Sequence, residues 1–420
     1  MKLLISAYAC EPNRGSEPGV GWEWATRLAA RHEVTVITRS NNQVAIANEL
    51  AAGTATGKPQ FIYVDLPDFF LRLKKRGILP VSLYYLLWQL TARIAVHSRM
   101  REFDLVHHVT FNGFRFPGAW WKTPIPVVLG PLGGGSIASS SYRSCFGSCF
   151  GSRLFSEWLR GLSVRCWRLN PWTLASLLSS DAVLAVGREM AERFAKLGIQ
   201  ADLMLETAVP AALEAEPKNV QACDRKDFLL VGNLEPWKAW QIAFDAFAAA
   251  VAGGMNGHRL VVIGTGQQLA EAKTRAVELG LEQDIEFAGL LPREPLWERM
   301  RNARGLVFSS VRDTSGNAAL EAMAAACPVI CFKHQGVAWM TDDNCAIRID
   351  PGEWESSVEG FAKGMIALAG DDVLVETLGK AGRKRAMEEF SWEAKIRKVE
   401  RIYQRVTGLA DSASDEDGDL

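Results

Sequence analysis

The sequence predicts an α/β protein made of two doubly wound, parallel-sheet domains, and three observations carry that expectation. Short apolar runs alternate with longer amphipathic stretches along the chain, the rhythm of strand–helix–strand units. The rhythm restarts after residue 226, so two cycles of similar size follow one another. The 420 residues are too many for one small domain, at about 100–200 residues each.

The elements follow in order. KLLISAY at the start reads as a strand, Gly21–Arg31 as a helix, and EVTVITRS and FIYVDL as strands. LVHHVTF, PVVLGP and AVLAVG continue the series, which gives a first domain over 1–210. AALEAEPKNVQACDRK, 211–226, is polar and aperiodic and reads as a linker. FLLVGN, LVVIGTG, IEFAG, GLVFSS and PVICF, with helices between, make a second domain over 227–390. Trp392–Val406 has apolar residues at helical spacing, so 391–408 is expected to be a helix that crosses back to the first domain. The acidic end, 409–420, has too few large apolar groups to offset the entropy of ordering and is expected to be disordered.

Composition narrows the functional classes. Hydrophobic residues make up 48% and charged residues 23%, as in ordinary folded chains. The net charge of −1 gives no global basicity, so nucleic acid is not an expected partner. The balance is uneven, however. Residues 1–210 hold 23 Lys and Arg against 15 Asp and Glu, and the remainder 24 against 33. A basic half suggests a face for an anionic surface or substrate. The eight cysteines are scattered through a long chain, which favours reduced thiols. Cys145 and Cys149 sit in the echo SCFGSCFG without a second Cys/His pair, so no metal site is expected. The apolar start is short and lacks a cleavage site, and no run approaches the ~20 residues of a membrane span. The expected location is the cytoplasm.

Four constellations lie where strands give way to helices. In VFSSVRDTSGNAALEAMAAACPVICF a strand ends near Ser310, a polar loop contains Gly316, and a helix begins close to Asn317. The backbone amides of such a turn suit a phosphate or a sugar oxygen. Asp313 and Glu321 can accept hydrogen bonds from hydroxyls; spacing alone equally allows a cap and a helix-dipole partner. In LLVGNLEPWKAWQIAF the strand ends at Gly232-Asn233 and Lys238 precedes a helix, placed for a phosphate or simply solvated. Gly264 and Gly266 follow the strand LVVI without a dinucleotide fingerprint. EPNRGSEPGVGWEWA puts Gly19 and Gly21 between the first strand and helix, and GPLGGG puts Gly133 and Gly134 after the strand PVVL. Both loops are expected on the crevice edge of the first sheet.

Two further features belong to the first half. His107 and His108 end the strand LVHHVTF, either toward the crevice or as hydrogen-bonded histidines of the core rim. The segment 68–101 mixes Lys74, Lys75 and Arg76 with Phe69, Phe70, Tyr84, Tyr85 and Trp88. It reads as a membrane-interface segment or as a packed helix pair with solvated lysines.

Together these pieces resemble the retaining glycosyltransferases of family 4, with the GT-B fold of two Rossmann-like domains facing across a cleft. DTSGNAALEAMAAACPVI resembles the family's E-x7-E motif, with Glu321 as the second acid and Asp313 where the first is Glu. GNLEPWKA is similar to its GRLxxxKG segment. Lys238 matches the phosphate-binding lysine, with Asn233 in place of Arg and Ala239 in place of Gly. DLVH at 104–107 resembles its DxxH, with His107 as the histidine.

The resemblance implies a nucleotide-sugar, a UDP- or GDP-sugar, bound mainly by the second domain at Gly232, Asn233, Lys238, Gly264, Gly266, Asp313, Glu321 and the turn Thr314, Ser315, Gly316, Asn317, Ala318. Glu321 would hold the ribose, Asp313 the transferred sugar, and Lys238 the leaving diphosphate, with no metal and no other cofactor. The acceptor would meet Gly19, Gly21, His107, His108, Gly133 and Gly134. Asp313, Glu321, Lys238 and His107 are the implied catalytic set. The expected function is transfer of a sugar to a hydroxyl of a lipid-linked or oligosaccharide acceptor in cell-surface polysaccharide or lipopolysaccharide biosynthesis, at the inner face of the cytoplasmic membrane. The rival readings are a GT-B nucleotide-sugar epimerase and a non-catalytic nucleotide- or glycan-binding protein on the same scaffold.

Overall fold

A computed structural model describes residues 1–111, 113–146, 152–215 and 222–409. The expected acidic tail beyond 409, Cys149 and the middle of the expected linker lie outside the described residues. Seven strands form a parallel sheet: β1 (Lys2–Ser6), β2 (Glu33–Thr38), β3 (Gln60–Tyr63), β4 (Leu105–His108), β5 (Val127–Leu132), β6 (Ala182–Ala185) and β7 (Asp202–Leu203), in the order β3-β2-β1-β4-β5-β6-β7. Six more form a second parallel sheet: β8 (Asp227–Val231), β9 (Arg259–Ile263), β10 (Ile285–Gly289), β11 (Gly305–Phe308), β12 (Val329–Phe332) and β13 (Ala346–Ile349), in the order β10-β9-β8-β11-β12-β13. In each sheet the order reverses beside its first strand, so the carboxyl ends of β1 and β4, and of β8 and β11, flank a switch point where α/β sheets bind ligands. The first strand of each sheet is apolar on both faces, as a strand covered by helices is expected to be. Leu3, Leu4 and Ile5 are fully buried, as are Phe228 and Leu229.

The chain divides into two compact units, and the division differs from a cut at residue 210. One unit is Met1–Gly135, Arg165–Glu206 and Lys395 onward; the other is Ser136–Val164 with Thr207–Ala394. The reason lies in side chains. Tyr142 joins the core of the second unit, its hydroxyl meeting Ser357 Oγ at 3.0 Å and accepting the Gly352 N–H at 3.1 Å. The Gln268 amide donates to the Cys145 carbonyl at 3.3 Å. From Lys395 onward the helix Trp392–Thr407 belongs to the first unit. It buries Ile396, Val399, Ile402 and Tyr403, and Lys395 donates to the Glu206 carbonyl at 2.6 Å.

The first helix, Ser16–Ala29, begins five residues before the expected Gly21, so Gly19 and Gly21 lie inside it rather than in a loop. Both are needed because the preceding loop lies flat on the helix. A Cβ on Gly19 would stand 2.1 Å from the Arg14 carbonyl oxygen, and one on Gly21 2.0 Å from that of Ala9. The basic aromatic segment becomes two helices, Asp68–Lys75 and Val81–Val96. Tyr84, Tyr85 and Trp88 turn into the core, while Phe69, Ile78, Val81, Leu83 and Ile94 are exposed. Among the described residues no helix is long and apolar enough to cross a membrane.

Candidate functional site

The second sheet gathers Lys238, Asp313 and the turn before Asn317 at its switch point. After β8 the chain passes through Gly232 and Leu234 to a single turn, Pro236–Lys238. Gly232 and Gly264 have φ of 135° and 145°, and a Cβ on Gly264 would lie 2.1 Å from the Gly232 carbonyl oxygen. A Cβ on Gly266 would meet the Leu234 carbonyl oxygen at 2.5 Å. The loops after β8 and β9 therefore touch backbone to backbone. Gly232 N–H donates to Ile263 O at 2.9 Å and Leu234 N–H to Thr265 O at 2.7 Å. The close approach that calls for Gly264 and Gly266 is to this chain's own backbone.

The loops after β8 and β11 are stitched in the same way. Val311 N–H donates to the Trp237 carbonyl at 2.9 Å, and Ser309 Oγ donates to the Lys238 carbonyl at 3.0 Å. This brings the half-buried Lys238 ammonium into an ion pair with Asp313. The other Asp313 oxygen accepts the Gly316 N–H at 3.0 Å. Asp313 thus both caps the turn, as one of the two readings open on spacing has it, and holds the lysine. Gly316 takes φ 67° at the start of the helix Asn317–Ala324, whose first amides have no partner within a helix. Thr314 and Ala318 are partly exposed there, Asn317 is exposed, and Ser315 is buried. Ala239 holds φ 47°, a left-handed position that costs an L-residue about 1–2 kcal/mol and that glycine, the residue of the family motif, takes freely.

Glu321 stands one turn into that helix. Its carboxylate accepts the Trp297 indole N–H at 3.2 Å. Burial pushes its carboxyl above the ordinary range, against the Trp297 bond and the charge of Arg293. Trp297 escaped the sequence reading because a tryptophan in the amphipathic run PLWERM looks like any core residue. Asn233 is exposed. Arg312, a candidate substitute for the cation missing at 233, stacks 4.7 Å from the Trp237 ring and is ion-paired with Glu157. Its charge is already engaged.

In the first unit the expected acceptor residues stand differently. His107 is fully buried. Its Nδ1 meets the Tyr403 hydroxyl at 2.6 Å and its Nε2 the Gly130 carbonyl at 2.8 Å. Both nitrogens are used by the chain itself, and burial lowers the imidazole pKa to about 3. His107 is thus a neutral interior group, not one open to an incoming hydroxyl. His108 is equally buried, between the Tyr85 hydroxyl at 2.8 Å and Ser6 Oγ at 3.0 Å, and is also lowered to about 3 by burial. Both are hydrogen-bonded histidines, and they lie inside the core rather than at its rim. Gly133 is buried and its carbonyl accepts the Phe114 N–H at 3.0 Å, while Gly134, with φ 78°, packs beside Gly113. Outside these residues, Tyr8 beyond β1 carries Arg39 on its ring at 4.2 Å and Lys74 on its hydroxyl at 3.3 Å.

The profile described as "Glycosyltransferase Family 4" matches residues 20–204, and that described as "Glycosyl transferases group 1" matches residues 213–385. The chain belongs to glycosyltransferase family 4. This family 4 chain is 26% identical over 220 residues to a 2-deoxystreptamine glucosyltransferase of Streptomyces kanamyceticus, covering 49% of this chain and 55% of that one. It is 24% identical over 230 residues to the lipopolysaccharide core biosynthesis glycosyltransferase LpsE of Rhizobium meliloti, covering 53% and 64%. The match thus spans little more than half of these relatives' length. In fold it is similar to Anabaena Alr3699/HepE, solved in complex with UDP, at a TM-score of 0.62 and 14% identity over 97% of this chain and 100% of that one. The two parallel-sheet units are those of GT-B glycosyltransferases.

Proposed function

We propose that this protein moves a sugar, with retention of configuration, from a UDP- or GDP-sugar to a hydroxyl of a lipid-linked glycan in cell-surface polysaccharide or lipopolysaccharide biosynthesis. The observation that carries the reading is the Lys238–Asp313 pair beside the Gly316 turn, with the buried Glu321 one helical turn on. Without ligand, Lys238 is neutralised by Asp313. A donor diphosphate offers the ammonium a stronger, doubly charged partner and leaves the Asp313 carboxylate to accept hydroxyls of the transferred sugar. Lys238 and the backbone amides at the start of the helix Asn317–Ala324 then stabilise charge as it develops on the leaving diphosphate, with no metal called for. Glu321, raised toward its neutral form by burial, ionises more readily when ribose hydroxyls donate to it. The name of the Rhizobium relative and the UDP complex of the Anabaena protein support the choice of pathway and donor class.

Thermal denaturation with UDP, GDP, ADP and CMP, then their sugars, tests the donor half. A nucleotide at 100 times its dissociation constant adds about 2.7 kcal/mol of stability. Stabilisation by one nucleotide that disappears in Glu321→Ala is the expected result; stabilisation by none sinks the reading. Membrane contact is tested separately. Arg72, Lys75 and Arg76 are exposed beside Phe69 and Ile78, so changing all three to Ser should reduce sedimentation with anionic vesicles severalfold. Unchanged sedimentation removes the peripheral-membrane element.

A further inference from the structure

The carboxyl edge of β1, β2 and β3 holds two cations on one tyrosine. Tyr8 follows β1 and its ring is buried. Arg39 follows β2. Its guanidinium carbon lies 4.2 Å from the Tyr8 ring centroid, and its Nε donates to the Tyr8 carbonyl at 3.1 Å. Lys74 comes from the helix Asp68–Lys75 after β3. Its ammonium donates to the Tyr8 hydroxyl at 3.3 Å and lies 4.6 Å from the Tyr84 ring centroid. Of the run Lys74, Lys75, Arg76, only Lys74 turns inward; the other two are exposed.

Among the described residues neither Arg39 nor Lys74 has a carboxylate within ion-pair distance. Of the half-buried arginines elsewhere, Arg275 pairs with Asp245 at 2.9 Å and Arg348 with Asp343 at 3.0 Å, whereas Arg93, on the Ala119 carbonyl and the Trp121 ring, has no such partner among the described residues. The acid in this neighbourhood is Asp65, which is exposed and accepts the Ser40 N–H at 3.1 Å and the Ser40 hydroxyl. Burial first, and the charge of Arg39 second, hold the Lys74 ammonium below its ordinary range. Two like charges on one ring repel each other, and packing against the ring needs only one.

Donors are left over on three side chains that share Tyr8. The Arg39 Nε bond fixes the guanidinium, which also hydrogen-bonds the Tyr8 side chain and keeps further N–H groups to give. Lys74 has used one of three donors, and the Tyr8 hydroxyl, having accepted from Lys74, still has its own proton to give. A fixed guanidinium, an ammonium and a phenol match the oxygens of a phosphoryl group. We propose that Arg39, Lys74 and Tyr8 form a phosphoryl-binding subsite, so that the acceptor is a phosphate-bearing molecule, a phosphomonoester or a diphosphate-linked glycan. The acceptor assignment rests on the transfer reading above; the anion site does not.

The test uses the full chain with glycerol 3-phosphate and inorganic pyrophosphate as probes and thermal stabilisation as readout, in wild type, Arg39→Gln, Lys74→Met and Lys238→Met. Both probes should stabilise wild type and Lys238→Met, with at least about tenfold weaker apparent affinity in the Arg39 and Lys74 variants. Arg39→Lys, which keeps the charge, should recover part of the effect and so separates binding from misfolding. Stabilisation lost in Lys238→Met and kept in the Arg39 and Lys74 variants overturns the proposal. So does glycerate, a carboxylate of similar size, binding as well as glycerol 3-phosphate.

Phosphatidylglycerol vesicles in a phosphatidylcholine background separate the two sources of phosphoryl group. Sedimentation that falls in Arg39→Gln and is competed by pyrophosphate assigns the subsite to a lipid-borne phosphate. Soluble probes binding with no such sensitivity assigns it to a free phosphorylated acceptor. No probe binding, with vesicle binding indifferent to both variants, overturns it. Stabilisation by UDP or GDP on the same samples distinguishes failure of the subsite from failure of the donor site. A nucleotide shift without a phosphoryl effect at 39 and 74 ends this proposal and leaves the transfer reading standing.

Discussion

Glu321 is a carboxylate that the fold would rather keep neutral. Burial raises its pKa above the ordinary range, and the Trp297 bond and Arg293 only partly oppose this. An acid raised in the folded state contributes its stability fully below the ordinary carboxylate range and loses it as pH rises through the shifted value. Glu321→Gln, which can still accept from Trp297, should therefore melt higher at about pH 7, and the gain should fade toward about pH 4. A variant no more stable at neutral pH would mean that the carboxylate is better solvated than the structure shows. Lys238 carries the opposite charge in the same site. Lys238→Met removes the partner of Asp313 and the proposed counter-charge to the leaving diphosphate. It should lower kcat by on the order of a hundredfold to a thousandfold, with a smaller change in KM. An unchanged kcat would remove Lys238 from the chemistry.

Among the elements, the helix Trp392–Thr407 shows how a distant segment completes a sheet. Its Tyr403 hydroxyl meets His107 Nδ1 in the core at 2.6 Å, across 296 positions of sequence. Nearer its start, Lys395 lies 4.6 Å from the Trp24 ring centroid. Glu400 takes Arg31 at 2.8 Å and His32 at 2.9 Å, so the helix is fastened along its length. Tyr403→Phe keeps the packing but leaves the His107 nitrogen without that partner. It should cost about 1–3 kcal/mol in urea unfolding. A change below about 0.5 kcal/mol would mean that apolar burial alone docks the helix. The loops after β8, β9 and β11 are elements of another kind. They are joined by backbone hydrogen bonds, so the Lys238–Asp313 pair sits on a braced frame.

Over the whole molecule, two neutral histidines at the centre of the first sheet set the response to acid. His107 and His108 are both lowered to about 3 by burial. Between about pH 6.5 and that value the unfolded chain binds protons that the folded chain refuses, so stability falls as pH falls. Each histidine contributes up to about 1.4 kcal/mol per pH unit. Urea unfolding at several pH values should show this slope. His108→Gln, which can keep a hydrogen bond to Tyr85, should make it shallower. Equal slopes in the two proteins would place the acid sensitivity elsewhere. The two units also exchange segments: 136–164 lies with the second and the chain from Lys395 with the first, so neither unit is a continuous stretch of sequence.

Local pattern determined much of this. The apolar runs that make β1–β6 and β8–β12 are visible as runs, and most plainly in strands such as β1 and β8 that are covered on both faces. The two strands that pattern missed are β7, with two residues, and β13, whose AIRI contains Arg348. Lys238, Asp313, Gly316 and Glu321 were also legible, since a strand–loop–helix turn is a local event and its polar residues stand out between apolar ones. What only the tertiary structure decided is pairing across distance. It put His107 and His108 inside, moved the start of the first helix back to Ser16, turned Tyr84 and Trp88 inward, and spent Arg312 on Glu157. It also set Arg39 and Lys74, 31 and 66 positions from Tyr8, on that one residue. Periodicity records which face of an element is buried, but not which element covers it, and it is the covering element that supplies a charge, a hydrogen bond or an empty place for a ligand.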